Sequence, residues 1–156
     1  MLSWERERGE AEIKLLRRGM QEGRIIPTQE PNTSHQADWA GDQYRLHSVP
    51  AWTLSFRIAQ PDTGLAATLT FQLTGRRASI TTNIGGKLKL IRISRNHHIW
   101  QLVEEEDVLL DLFWTDSKIE GTALWEENQV NRLYLLLIIF SLDRFYARTW
   151  GGDYRA

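Results

Sequence analysis

The sequence predicts a mainly β (α+β) fold: an antiparallel meander or barrel of about seven to eight strands or more, built around a buried, apolar C-terminal helix. Three observations carry this. Between residues 52 and 125, apolar residues recur at every second position and are interrupted by short turn signals, the signature of half-buried strands. Residues 133–142 then run for ten positions without a charge. Finally, strands of about eight residues are about 27 Å long at 3.3 Å per residue. A helix of about 20 residues is about 30 Å long, so helix and strands match.

The apolar stretch is read as a helix from about Gln129 to Arg148. Its Leu-rich composition favours helix over a β-branched strand. Asn128 or Asn131 can cap the start, because a side-chain oxygen there accepts an orphan backbone N–H. Trp150-Gly151-Gly152 supplies the stop. Ten residues at 100° each sweep nearly three turns, so the middle of this helix has no polar face. A membrane span needs about 20 apolar residues, and this run also contains or adjoins Tyr134, Asp143 and Arg144. The helix is therefore expected to be surrounded by protein, which requires a sheet that curls around it.

Composition narrows the function classes. The chain has 156 residues, with 19 basic and 20 acidic side chains, enough for one sizeable core and too balanced for a global field drawing it to nucleic acid or membrane. There is no cysteine, hence no disulfide framework, thiolate nucleophile or zinc ribbon. That usage fits a cytoplasmic protein. The charged opening, residues 1–8, is not a secretory signal. Seven tryptophans suit a bulky core.

In chain order, residues 5–24 read as an amphipathic surface helix with Ile13, Leu16 and Met20 on one face. Residues 27–42, with Pro27, Pro31 and Gly41, read as a polar linker. One strand is expected over Gln43–Val49, closing an N-terminal segment of residues 1–50; residues 51–156 form the barrel-like domain with its core helix. The clear strands follow: Trp52–Ile58, Leu65–Leu73 and Ala78–Ile84, with turns at Pro61–Gly64, Gly75 and Gly85-Gly86. Lys87–Ser94 changes its apolar phase between Leu90 and Ile91, which a bulge or burial on both faces explains. His97–Val103, Val108–Trp114 and Lys118–Trp125 complete the set. Short turns imply antiparallel neighbours.

This pattern resembles the tubby C-terminal superfamily, which includes the LURP-one-related proteins and phospholipid scramblases. The resemblance lies in strands followed by Arg132–Tyr146, RLYLLLIIFSLDRFY, with Leu142-Asp143-Arg144 similar to the aliphatic-then-Asp ending of LURP-one-like helices. It implies a twelve-stranded barrel around a central hydrophobic helix, whereas the periodicity supplies seven or eight strands. No stretch matches the scramblase calcium site, and no phosphoinositide-binding residue transfers by motif.

From the residues themselves, charge segregates along the chain. Between Asp62 and Glu104 lie Arg76, Arg77, Lys87, Lys89, Arg92 and Arg95 and no acidic residue. On adjacent hairpins these six form a candidate anion- or lipid-binding patch; a solvated sheet face with edge lysines is the plainer reading. The acidic run Glu104–Asp107 lacks calcium-loop spacing. His97 and His98 point to opposite faces of a strand, and His35 and His47 lie elsewhere. No nucleophile elbow or phosphate loop is present. Asp143 and Arg144 read as a structural pair at the barrel mouth.

The expectation is thus a non-enzymatic binding or scaffold module that engages an anionic membrane surface or another protein, without metal, cofactor or nucleic acid. The alternatives are a lipocalin-like barrel, with the helix packed outside and a cup left for a small ligand, or a subunit whose Leu-rich helix completes a partner's core.

Overall fold

The computed structural model describes residues 1–7, 10–28, 34–94, 98–115 and 120–150. Twelve strands form one closed antiparallel barrel, and a single helix follows. The strands are β1 (Leu2–Glu5), β2 (Ile13–Arg17), β3 (Met20–Pro27), β4 (Ser34–Trp39), β5 (Asp42–Ser48), β6 (Ser55–Gln60), β7 (Leu65–Phe71), β8 (Arg77–Thr82), β9 (Lys87–Ser94), β10 (Ile99–Glu104), β11 (Asp107–Trp114) and β12 (Glu120–Leu124). The helix α1 is Arg132–Trp150. Each strand pairs with its sequence neighbours, and β1 closes the ring by pairing with β12, Leu2 opposite Ala123 and Trp4 opposite Gly121.

The mainly β architecture and the apolar C-terminal helix agree with the sequence. The first fifty residues do not: within the expected helix over 5–24, residues 13–24 belong to a β-hairpin, and the expected linker over 27–42 contains a strand. In β2 and β3, Ile13 faces Ile25 and Leu15 faces Gly23, with these apolar side chains buried. Arg18 and Gly19 join them with φ of 54° and 77°, the left-handed pair that a two-residue hairpin turn needs. Ala40 and Gly41 repeat that turn between β4 and β5, with φ of 50° and 89°. In β4 the inward residues are His35, Ala37 and Trp39. A histidine and an alanine at alternate positions do not register as an apolar stripe, which is why this strand reads as a linker.

The helix occupies the barrel interior. All eight residues from Leu135 to Leu142 are at most 2% exposed. Its side chains meet strands around the ring: Phe140 touches His35 of β4 and Phe56 of β6, and Phe145 stacks on Phe71 of β7. Tyr146 meets Trp100 of β10 and Trp114 of β11. A helix packed on the outside of an open cup is therefore not the arrangement adopted, nor is the helix free to complete a partner's core. Its backbone runs closest to β5, β6 and β7. Trp4, Trp100 and Trp114, all buried, line the opposite wall. Bulky indoles thus fill the wider gap on that side, which accounts for much of the tryptophan count. Trp4 also lies flat against Gly121, where a Cβ would sit 2.5 Å from its Cε2 atom.

At its start the helix is capped by Asn131, whose Oδ1 accepts the Leu133 N–H at 2.9 Å. At its other end the last turn emerges at the mouth formed by the loop between β5 and β6, the β7–β8 turn and the end of β9.

Candidate functional site

The six basic residues singled out by the sequence separate into three groups. Lys87 and Lys89 are exposed on the outer face of β9, opposite Thr81 and Ser79 of β8. Arg77, at the head of β8, lies on the same outer face opposite Ile91, and Arg76 is exposed in the preceding turn. Arg92 departs from the patch. It continues the inward phase of Leu88 and Leu90, pairs with Trp100, and its guanidinium lies 5.8 Å from the Trp100 ring and 6.0 Å from that of Tyr146. Its Nη2 donates to His98 Nδ1 at 2.7 Å, so that nitrogen is the acceptor of a neutral imidazole. Arg92 packs the mouth of the barrel and does not face outward. Arg95 and His97 lie outside the described residues. The β9–β10 register shifts between the pairs Ser94–Ile99 and Arg92–Trp100, leaving Ile93 unpaired; this bulge lies beyond the phase change between Leu90 and Ile91, where the ladder is unbroken and Ile91 is half-buried on the outer face.

Just before Arg76 and Arg77 in the chain, Gly75 lines a groove at the mouth that the sequence did not single out. It has a volume of about 400 Å³ and lies between the loop before β6, the β7–β8 turn and the last turn of α1. Trp52, Leu54, Phe71, Leu73, Phe145 and Arg148 supply most of its lining. The expected strand over 52–58 in fact begins at Ser55, and Trp52 is fully exposed at the groove edge. Likewise β7 stops at Phe71, and Leu73 projects from the turn, 89% exposed. The floor is firm: the Phe71 and Phe145 rings stack at 4.9 Å and 17°. The Phe71 N–H donates to the Leu54 carbonyl at 2.9 Å, tying the loop to β7. Gly75 has φ of 67°, and a Cβ there would lie 3.2 Å from the Phe145 ring. This turn therefore requires glycine both for its backbone and for its closeness to the helix.

Beneath the same mouth sits a buried charge cluster. Arg6 Nη2 lies 3.1 Å from Asp143 Oδ1, with side chains 5% and 0% exposed. Arg144, the partner read from the sequence, reaches Asp143 Oδ2 at 3.4 Å and is partly open to solvent. Arg6 also donates to the Glu10 carbonyl at 3.2 Å. This cluster ties the segment after β1 to the end of the helix, a link between residues 137 positions apart. His35 packs on Phe140 at 4.8 Å. Burial, reinforced by the Arg144 charge, holds its imidazole down to about 4, and its Nδ1 has no hydrogen-bond partner among the described residues. Geometry and burial make these groups structural.

No protein-family model, curated protein or solved structure matches this chain. Function must therefore be read from the mouth itself. Among the described residues no group of three or more His, Asp or Glu side chains is placed to hold a metal ion, and no helix is long and apolar enough to cross a membrane. In the acidic turn, Glu104 ends β10 and Asp107 begins β11; the nearby Asp111 accepts from Gln101 at 2.8 Å. What the mouth offers is an apolar rim beside cationic side chains, a surface suited to an anionic amphiphilic partner.

Proposed function

We propose that this chain is a non-enzymatic binding module that docks peripherally on anionic phospholipid surfaces through the mouth where α1 ends. The observation that carries the reading is a groove lined by fully exposed Trp52, exposed Leu73 and Arg148, with exposed Arg76 and Arg77 following its Gly75 in the chain. An exposed indole suits the membrane–water interface, where one end of the side chain is apolar and the other wet. Each basic side chain near an anionic leaflet adds about 1 kcal/mol. A cytoplasmic location belongs to the same proposal, since anionic lipids populate the cytoplasmic leaflet. So does kinship with the tubby and LURP-one-related superfamily, whose implied barrel of twelve strands around a central helix is supported by the strand count and by the enclosed α1.

The test is co-sedimentation with phosphatidylcholine vesicles and with vesicles containing phosphatidylserine, at low and at physiological salt. The expected result is pelleting with the anionic vesicles that weakens as salt rises. The double variants Trp52→Ala with Leu73→Ala, and Arg76→Glu with Arg77→Glu, should each abolish it. Lys87→Glu with Lys89→Glu should have a smaller effect, because Lys87 starts β9 at the far end of the barrel. Absence of pelleting at low salt removes the reading.

A second reading, a subunit of a protein assembly, is favoured by a different surface. Ile93, Phe113 and Leu124 are exposed on the outer face of β9, β11 and β12. Concentration-dependent mass in analytical ultracentrifugation, lost in Phe113→Ser, would support it over the lipid surface.

A further inference from the structure

We infer that the groove at the helix C-terminal mouth holds a single acyl chain with an anionic end, namely a free fatty carboxylate. The inference rests on the proposal that this mouth meets lipid, and it adds a defined, stoichiometric site to what would otherwise be a diffuse surface contact. Three features carry it. The groove's volume of about 400 Å³ lies at the lower end of the range for small-molecule sites, about 300–1,000 Å³, which suits one chain and not a pair. Its lining is mixed: Leu54, Phe71 and Phe145 form an apolar floor and Trp52 and Leu73 the sides, next to the polar Thr53, Gln72 and Thr149. Arg148 is the only charged residue among the described residues that line it.

Charge complementarity sets the orientation. A carboxylate meets the Arg148 guanidinium, to which it can bond through two parallel N–H donors, and the chain lies along the stacked Phe71 and Phe145 rings. Thr53, Gln72 and Thr149 are the other polar residues of the lining. No carboxylate among the described lining residues competes for the arginine. The floor is pre-organised by the Phe71–Phe145 stack and by Gly75, so little ordering is needed on binding. The sides are different: Trp52 and Leu73 are exposed and can fold over the chain, removing their own apolar surface from water.

The experiment is isothermal titration of the full chain with sodium dodecanoate below its micellar concentration, with dodecyltrimethylammonium as the cationic control and anionic vesicles assayed in parallel. The expected result is saturable binding at one dodecanoate per chain and none of the cationic amphiphile. Arg148→Glu should weaken dodecanoate at least 10-fold, and Leu73→Asp should do the same. Both positions are exposed, and unchanged circular dichroism would show that the fold is retained. Non-saturable uptake, equal binding of the cationic amphiphile, or full affinity in Arg148→Glu would overturn the inference. Vesicle binding without dodecanoate binding would sink the groove and leave the surface reading standing. Dodecanoate binding without vesicle binding would do the reverse, removing the surface reading and leaving a site for a free fatty anion.

Discussion

At the scale of the residue, the buried groups under the mouth make stability depend on pH and on pairing. His35 has a folded-state pKa of about 4 against an ordinary 6.5. The value is lowered, so the fold favours the neutral ring. Its contribution is whole above about pH 6.5 and is lost as pH falls toward 4, amounting to about 3 kcal/mol by pH 4. Urea unfolding at pH 7 and pH 4 should show this loss in the natural chain, and a smaller one in His35→Leu, where nothing titrates. A loss of equal size in both would assign acid sensitivity to other groups. Asp143 tests pairing. Asp143→Ala leaves the Arg6 guanidinium buried without its carboxylate, at a cost of about 3–5 kcal/mol. Arg6→Met combined with Asp143→Leu should recover much of that, since a buried pair is often replaceable by packed apolar groups. Denaturant midpoints of the three proteins decide it; a double variant no better than the single would show that the charges fix the register. In the sequence only half of this pair was legible. Asp143 after an apolar run announces itself, whereas Arg6 sits in a stretch whose charges resemble a surface helix.

At the scale of the element, the barrel depends on its shortest strand. β1 has four residues, yet it pairs with both β2 and β12 and so closes the ring. Deleting residues 1–6 should open the barrel, uncover the edges of β2 and β12, and remove Trp4 from the core. Unpaired edges of this kind recruit other chains. The truncated protein should therefore elute from size exclusion as aggregates; a monodisperse, native-like monomer would show that the remaining eleven strands close without β1. The middle strands were legible because each carries large apolar inward residues, Phe56 and Ile58, Leu69 and Phe71, Ile80, Leu88 and Leu90, that hold the alternation past the inward Ala67 and Ala78. The first strands were not. Their inward positions include Gly23, His35 and Ala37, residues that read as turn, surface or linker until their neighbours are known.

At the scale of the whole molecule, net charge is −1, so no long-range field draws the protein to an anionic leaflet. Attraction must be local to the arginines at the mouth, which is why the proposed vesicle binding should fade as the Debye length shrinks from about 10 Å at 0.1 M salt to about 3 Å at 1 M. Several matters were determined by the sequence alone. Ten uncharged residues leave a helix no polar face, so it had to be enclosed. Period-two strands of matching length had to do the enclosing. These are local properties, set by side-chain polarity and backbone geometry. Only the tertiary structure decided that the first fifty residues complete the ring, that Arg92 turns inward while Arg77, Lys87 and Lys89 face out, and that Trp52 and Leu73 edge a groove beside Arg148. Those outcomes depend on which strands become neighbours and where each strand ends at the mouth. A contact between residues as distant as Arg6 and Asp143, or a groove shared by Trp52 and Arg148, leaves no periodicity in either partner's own segment.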